Sequence, residues 1–184
     1  MKADYICFDD QDELFAYVSE LSPKTVIFDV EPLVARWDTG PPELVKGLER
    51  WVSKISSIPG LAFVGFVTNS QRLGSVGDAR NGVKSFYVAS AHKPFQAEAY
   101  RGLPRPGAVV GDQLATDGIW AWRLGFDFVH YCPRQERRPV GVRAMNLLGR
   151  ILRPLFFRTA TSRCRGSVPR RGGAGATANV TQGK

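Results

Sequence analysis

Five short apolar runs rich in β-branched and aromatic residues, Thr25–Asp29, Leu61–Val67, Ser85–Ala89, Ala108–Val110 and Phe126–Tyr131, are separated by stretches long enough to cross back over a sheet. Runs of this fully buried kind, alternating with helical patterns, predict right-handed crossovers and an α/β fold: a doubly wound parallel sheet in three layers. Ligands of open α/β sheets bind just beyond the carboxyl ends of the strands. Residues more than 80 positions apart, such as Asp29 and Asp112, can therefore share one pocket.

Between the strands, residues 8–20 place Phe8, Leu14, Phe15, Tyr17 and Val18 at near-helical spacing and predict a short helix that stops at Ser22-Pro23. A longer helix is expected from about Glu43, with Leu44, Leu48, Trp51, Val52 and Ile55 on its apolar face and Pro59-Gly60 closing it. Gln71–Asn81 reads as a weak helix carrying two glycines, Pro94–Tyr100 as a short one and Ala115–Leu124 as another. Arg143–Arg158 alternates arginines with Met145, Leu147, Leu148, Ile151, Leu152 and Leu155, which makes a basic amphipathic segment broken at Pro154. It serves either as a terminal helix docked on the sheet or as a peripheral contact with anionic lipid.

The net charge of +8 is unevenly spread: residues 1–133 sum to −3, and residues 134–184 to +11. Past residue 158, Gly, Arg, Ser, Thr and Ala dominate with almost no apolar anchor, so a disordered basic tail is expected over 159–184. The organisation is then a single α/β domain over 1–140, the amphipathic helix over 141–158, and the tail. With little beyond Phe157 to stack bases, the arginine-rich end is a poor nucleic-acid binder. Cys7, Cys132 and Cys164 are odd in number and form no C-x-x-C pair, which argues against a disulfide framework and a zinc site and fits a reducing cytosol. With only His92 and His130 present, a histidine metal cage or a Ser-His-Asp hydrolase has little support. No apolar run reaches the roughly 18 to 20 residues of a membrane span, and the acidic first residues lack a secretory pattern.

The strand ends carry a matched set of polar residues: Asp29, then Thr68 and Asn69, then Lys93, then Asp112 with Asp117. Taken singly each has a plainer reading, a turn or helix cap for the acids and the threonine, a surface position for the lysine. Together they supply what phosphoryl transfer needs. A carboxylate can attack phosphorus, a hydroxyl and a backbone N–H can hold phosphate oxygens, a lysine can neutralise them, and two further acids can help hold Mg2+.

The segments VIFDVEPLVARWD, FVTNS, AHKP and VVGDQLATD, in this order, resemble the haloacid dehalogenase (HAD) superfamily over residues 23–135. The likeness is greatest to the YqeG-type phosphatases of subfamily IIIA, relatives of the phosphatidylglycerophosphate phosphatases. The resemblance implies a Rossmannoid domain without a large cap and a Mg2+-dependent phosphomonoester phosphatase working through an aspartyl phosphate. Asp29 would be the nucleophile and Glu31 the acid/base; Thr68, Asn69 and Lys93 would bind phosphate. Asp29, the Glu31 backbone carbonyl, Asp112 and Asp117 would bind the metal. An uncapped site suits a large or surface-bound phosphate ester such as phosphatidylglycerophosphate, at a cytoplasmic location or peripherally on the inner membrane face. The first motif departs from the family's D-x-D-x-T: it reads Asp29-Val30-Glu31-Pro32-Leu33, with one methylene too many at Glu31 and no hydroxyl at Leu33. The alternative is a catalytically impaired phosphate-binding or regulatory module on the same fold.

Overall fold

The structure is a computed structural model that describes residues 5–77, 80–133, 140–158 and 161–162. Six strands, β1 (Tyr5–Phe8), β2 (Thr25–Phe28), β3 (Phe63–Val67), β4 (Lys84–Val88), β5 (Gly107–Gly111) and β6 (Asp127–Tyr131), make one all-parallel sheet. Thr161–Ser162 add a two-residue β7 beside β1, and the order is β4-β3-β2-β5-β6-β1-β7. This is the Rossmann-like α/β arrangement expected. From β2 the chain winds outward through β3 to β4, then crosses back to β5 on the other flank, so the order reverses between β2 and β5. That reversal opens a crevice at their carboxyl ends.

The sheet divides the core in two. Val26, Phe28, Val64, Phe66, Val110 and Val129 face helix α1 (Gln11–Glu20) and helix α2 (Pro41–Ile55), which contribute Leu14, Val18, Leu44, Leu48, Trp51 and Ile55. Ile27, Val67, Val109 and Phe128 face the opposite way, against Trp120, Ala121 and Leu124 of helix α3 (Ile119–Leu124) and against Phe157. Each fully buried side chain of this size contributes about 1.5–3 kcal/mol, and the alternation along every strand fills both layers at once. The Asp10 carboxylate caps α1 by accepting from the Asp12 and Glu13 N–H groups, and Pro41-Pro42 starts α2.

Four expectations are corrected. Phe8 belongs to β1 and not to the first helix: the run Tyr5–Phe8 pairs in register with Phe128–Tyr131, while α1 begins only after the Asp10 cap. Gln71–Gly77 is not helical, and only Arg80–Gly82 makes a 3₁₀ turn. The Tyr87 hydroxyl donates to the Arg72 carbonyl, and a Cβ at Gly74 would come within 2.8 Å of the Tyr87 ring, so the segment packs against Tyr87 of β4. Pro94–Tyr100 is a turn followed by a 3₁₀ turn at Glu98–Tyr100. Pro154 does not break its helix: α4 (Val140–Phe156) runs past it, with the proline exposed near the helix end, where water can take the carbonyl it leaves unpaired.

Helix α4 is docked. Gly149 is buried against Leu114 and Ala115 so closely that a Cβ there would lie 2.8 Å from Leu114 Cβ. Its other side leaves Leu147, Ile151 and Leu155 at least 61 % exposed, with Arg143 and Arg150 beside them in sequence. No described helix is long and apolar enough to cross a membrane. Of the tail expected over 159–184, only Thr161 and Ser162 are described and they form β7; the rest of that expectation lies outside the described residues.

Candidate functional site

The acidic, hydroxyl and ammonium groups read from the sequence converge at the β2/β5 crevice. Asp29 directly follows β2, and its N–H donates to the Val110 carbonyl at 2.7 Å, extending the ladder by one residue. The chain then folds back, with the Val34 and Ala35 N–H groups on the Val30 carbonyl, beneath α2. Gly47 permits this packing: a Cβ there would come 2.1 Å from the Val34 carbonyl oxygen. Asp112 follows β5, and Asp117 sits on a π-type turn, Leu114–Gly118, that leads into α3. Asp117 folds its carboxylate over Gly111, where any side chain would collide with it.

Lys93 lies at the centre. Its Nζ is 3.0 Å from Asp29 Oδ1 and 2.7 Å from Asp117 Oδ1, and it donates to the Val67 carbonyl at 2.8 Å. Ser90 and His92 take left-handed backbone with φ of 49° and 53°, a conformation uncommon outside glycine, and the resulting sharp turn aims Lys93 inward. Asn69 fastens that turn: its Oδ1 accepts from the Lys93 N–H at 2.7 Å and its Nδ2 donates to the Lys93 carbonyl at 2.9 Å. The Asn69 side chain thus positions the lysine.

Asp29, Asp112 and Asp117 are all buried, and one carboxylate oxygen from each lies within 4.8 Å of the others. Burial, and after it the charge of Asp117, pushes the Asp29 carboxyl well above the usual carboxylate range against the pull of Lys93. Burial also disfavours the Lys93 ammonium, but Asp117 and Asp29 outweigh that cost and keep it charged. The donor set fits Mg2+: three hard carboxylates gathered at one point, with a neighbouring cavity of about 90 Å3 open to water ligands. Glu31 brings the buried carboxylates to four, against the two cations Lys93 and Arg72, an excess that a divalent ion offsets.

Glu31 faces the same cavity but is held from the other side. Thr68 Oγ1 donates to its Oε2 at 2.6 Å; Ser70 Oγ and Arg72 Nη1 each donate to its Oε1 at 3.2 Å. Arg72 reaches further, to the Arg36 carbonyl and, through Nη2, to the Thr39 carbonyl and hydroxyl. Ser70 and Arg72 were not foreseen. Their region reads as a weak helix in sequence, and a helix there would have turned Arg72 away; the glycines of the stretch were the available signal. Trp37, Gln113 and Thr116 complete the cavity wall.

Comparison with protein-family models, with curated proteins and with solved structures finds no match for this chain.

Proposed function

We propose that the protein is a Mg2+-dependent phosphomonoester phosphatase of the HAD type, near the YqeG-like members of subfamily IIIA. The single observation that supports this most is the convergence of Asp29 and Asp117 on the Lys93 ammonium, with Asp112 in the same carboxylate cluster at the sheet's switch point. Asp29, the Asp112 and Asp117 carboxylates and the Glu31 backbone carbonyl would hold the ion. When bound, it would draw charge from the phosphoryl oxygens and so shield the attacking carboxylate.

Ionised once the ion is bound beside it, Asp29 would bond through one oxygen to phosphorus as the ester oxygen departs with a proton delivered from Glu31, leaving an aspartyl phosphate and the free alcohol. Water then attacks phosphorus while Glu31 takes its proton, and inorganic phosphate leaves with Asp29 restored. Lys93 would supply positive charge beside the equatorial oxygens, and to donate to one of them it would release one of its three present acceptors, Asp29, Asp117 or the Val67 carbonyl. Thr68 and the Asn69 N–H would bind those oxygens, with Thr68 turning from Glu31 as substrate enters. The open site and the exposed apolar and arginine residues of α4 support a phosphate ester presented at an anionic membrane, such as a phosphatidylglycerophosphate.

The clasp on Glu31 favours a second reading. A carboxylate accepting from Thr68, Ser70 and Arg72 is unavailable to a leaving group until a donor lets go, which suits a module that binds phosphate without turning it over. Hydrolysis of an aryl phosphate, with and without Mg2+, in the wild type and in Asp29→Asn separates the two. The phosphatase reading expects Mg2+-dependent turnover that Asp29→Asn abolishes; no turnover in either protein overturns it.

A further inference from the structure

We propose that Cys7, His130 and Cys132 form a second metal site, for one soft divalent transition-metal ion of the Zn2+ class, at the carboxyl ends of β1 and β6. The sequence spacing argued against zinc because the first cysteine lies 125 residues before the second. The fold removes that distance. Cys7 and His130 are direct register partners on adjacent parallel strands, and Cys132, two residues past His130, returns to the same face of the sheet. The Cys132 N–H donates to the Phe8 carbonyl at 2.7 Å, which keeps the paired backbone aligned to this point.

One ligand atom from each of the three residues lies within 4.8 Å of the others. Cys132 Sγ is 3.2 Å from His130 Nδ1 and 3.4 Å from Nε2, over the face of the ring, and Cys7 shares a hydrogen bond with Cys132. A tetrahedral zinc with its usual bond lengths separates sulfur from nitrogen by about 3.5 Å and sulfur from sulfur by about 3.8 Å, so the donors are within reach of one ion once the Cys132 side chain turns toward the Nδ1 edge. The imidazole is already oriented. His130 Nε2 is 2.9 Å from the Asp112 carbonyl, an acceptor only, so Nε2 carries the hydrogen and Nδ1 is the ring's acceptor, taken by the Tyr5 hydroxyl until an ion replaces it. A histidine ligand whose other nitrogen donates to a carbonyl is the usual outer arrangement of protein zinc sites. The Tyr5 hydroxyl, 2.5 Å from Nδ1, stands where the ion would bind and would be displaced by it.

The two sites differ in kind. Two sulfurs and an imidazole select zinc-like ions and reject Mg2+, whereas the carboxylates of Asp29, Asp112 and Asp117 select Mg2+. Asp112 joins them, its carbonyl bonded to His130 and its carboxylate in the acidic cluster. Filling the sulfur site would fix the residue that both share. Binding releases the thiol protons to solvent.

The test uses the reduced full chain stripped of metal and titrated with Co2+ in the presence of Mg2+. The expected result is one Co2+ per chain with a thiolate-to-cobalt charge-transfer band and tetrahedral visible bands, all removed by one equivalent of Zn2+. Cys7→Ser and Cys132→Ser should each weaken Zn2+ binding by more than about tenfold, and Cys164→Ser should not. Cys132 is only half-buried, so its variant serves if the buried Cys7→Ser fails to fold. Co2+ binding without the charge-transfer band, or a band that survives Cys132→Ser, overturns the proposal. Neither readout depends on phosphatase activity, so the two readings fail separately.

Discussion

Lys93 Nζ lies 2.7 Å from Asp117 Oδ1 with neither side chain more than 2 % exposed. The same ammonium is 3.0 Å from Asp29, so one buried cation holds apart two carboxylates that come from different strand ends. The stability of the crevice and its chemistry therefore rest on the same atom.

Lys93→Met should expose this dependence. It leaves buried carboxylates without their counter-charge, and the loss expected in urea denaturation is about 3–5 kcal/mol, with part recovered by added Mg2+. A variant as stable as the wild type in the absence of divalent ions would show that the ion pairs carry no such weight.

Arg72→Lys should behave almost like Arg72→Ala. The guanidinium joins Glu31, the Arg36 carbonyl and Thr39 at once, a fork that a single ammonium cannot reproduce. Both variants are expected to lose about 2 kcal/mol and to become more easily cleaved by protease within residues 71–77. Full rescue by lysine would mean that charge alone is what Arg72 provides.

Tyr87 gives a pH signature. Burial, then the charge of Glu31, pushes its hydroxyl up to about 12, although Arg72 pulls the other way. Because the folded value is raised above the ordinary one near 10, its contribution to stability is complete below about pH 10 and is lost as pH climbs through about 12. Tyrosinate absorbance should show a late-titrating tyrosine that disappears in Tyr87→Phe; an unchanged titration curve contradicts the assignment.

On α4, replacing Leu147, Ile151 and Leu155 together by serine should abolish binding to vesicles containing phosphatidylglycerol while leaving the fold intact, since all three are exposed. Wild-type binding should weaken with added salt, as arginine attraction to an anionic surface is screened. Sedimentation with vesicles reads both effects, and equal binding by the variant would assign α4 to a purely structural role.

How far the sequence could be read depended on the length and isolation of each signal. The runs that became β2 and β5 are buried on both faces and those of β3 and β6 nearly so; their apolar character, shared by the partly exposed β4, located all five within one or two residues. The four residues of β1 lie beside an acidic stretch and merged with the periodicity of α1. The convergence of Asp29, Lys93, Asp112 and Asp117 came from placing each at a strand end, so the acidic cluster was foreseen. The clasp on Glu31 was not, since it depends on a non-helical segment packed through Gly74 on Tyr87. Nor could local spacing reveal Cys7 beside His130, because their proximity comes from the β1/β6 register.

The most direct test of the proposed phosphatase site is 19F NMR of the protein with beryllium fluoride, a mimic of the phosphoryl group on a carboxylate. The predicted result is a protein-bound fluoroberyllate signal that requires Mg2+ and is absent from Asp29→Asn. No bound signal in the wild type, or the same signal in Asp29→Asn, would contradict it.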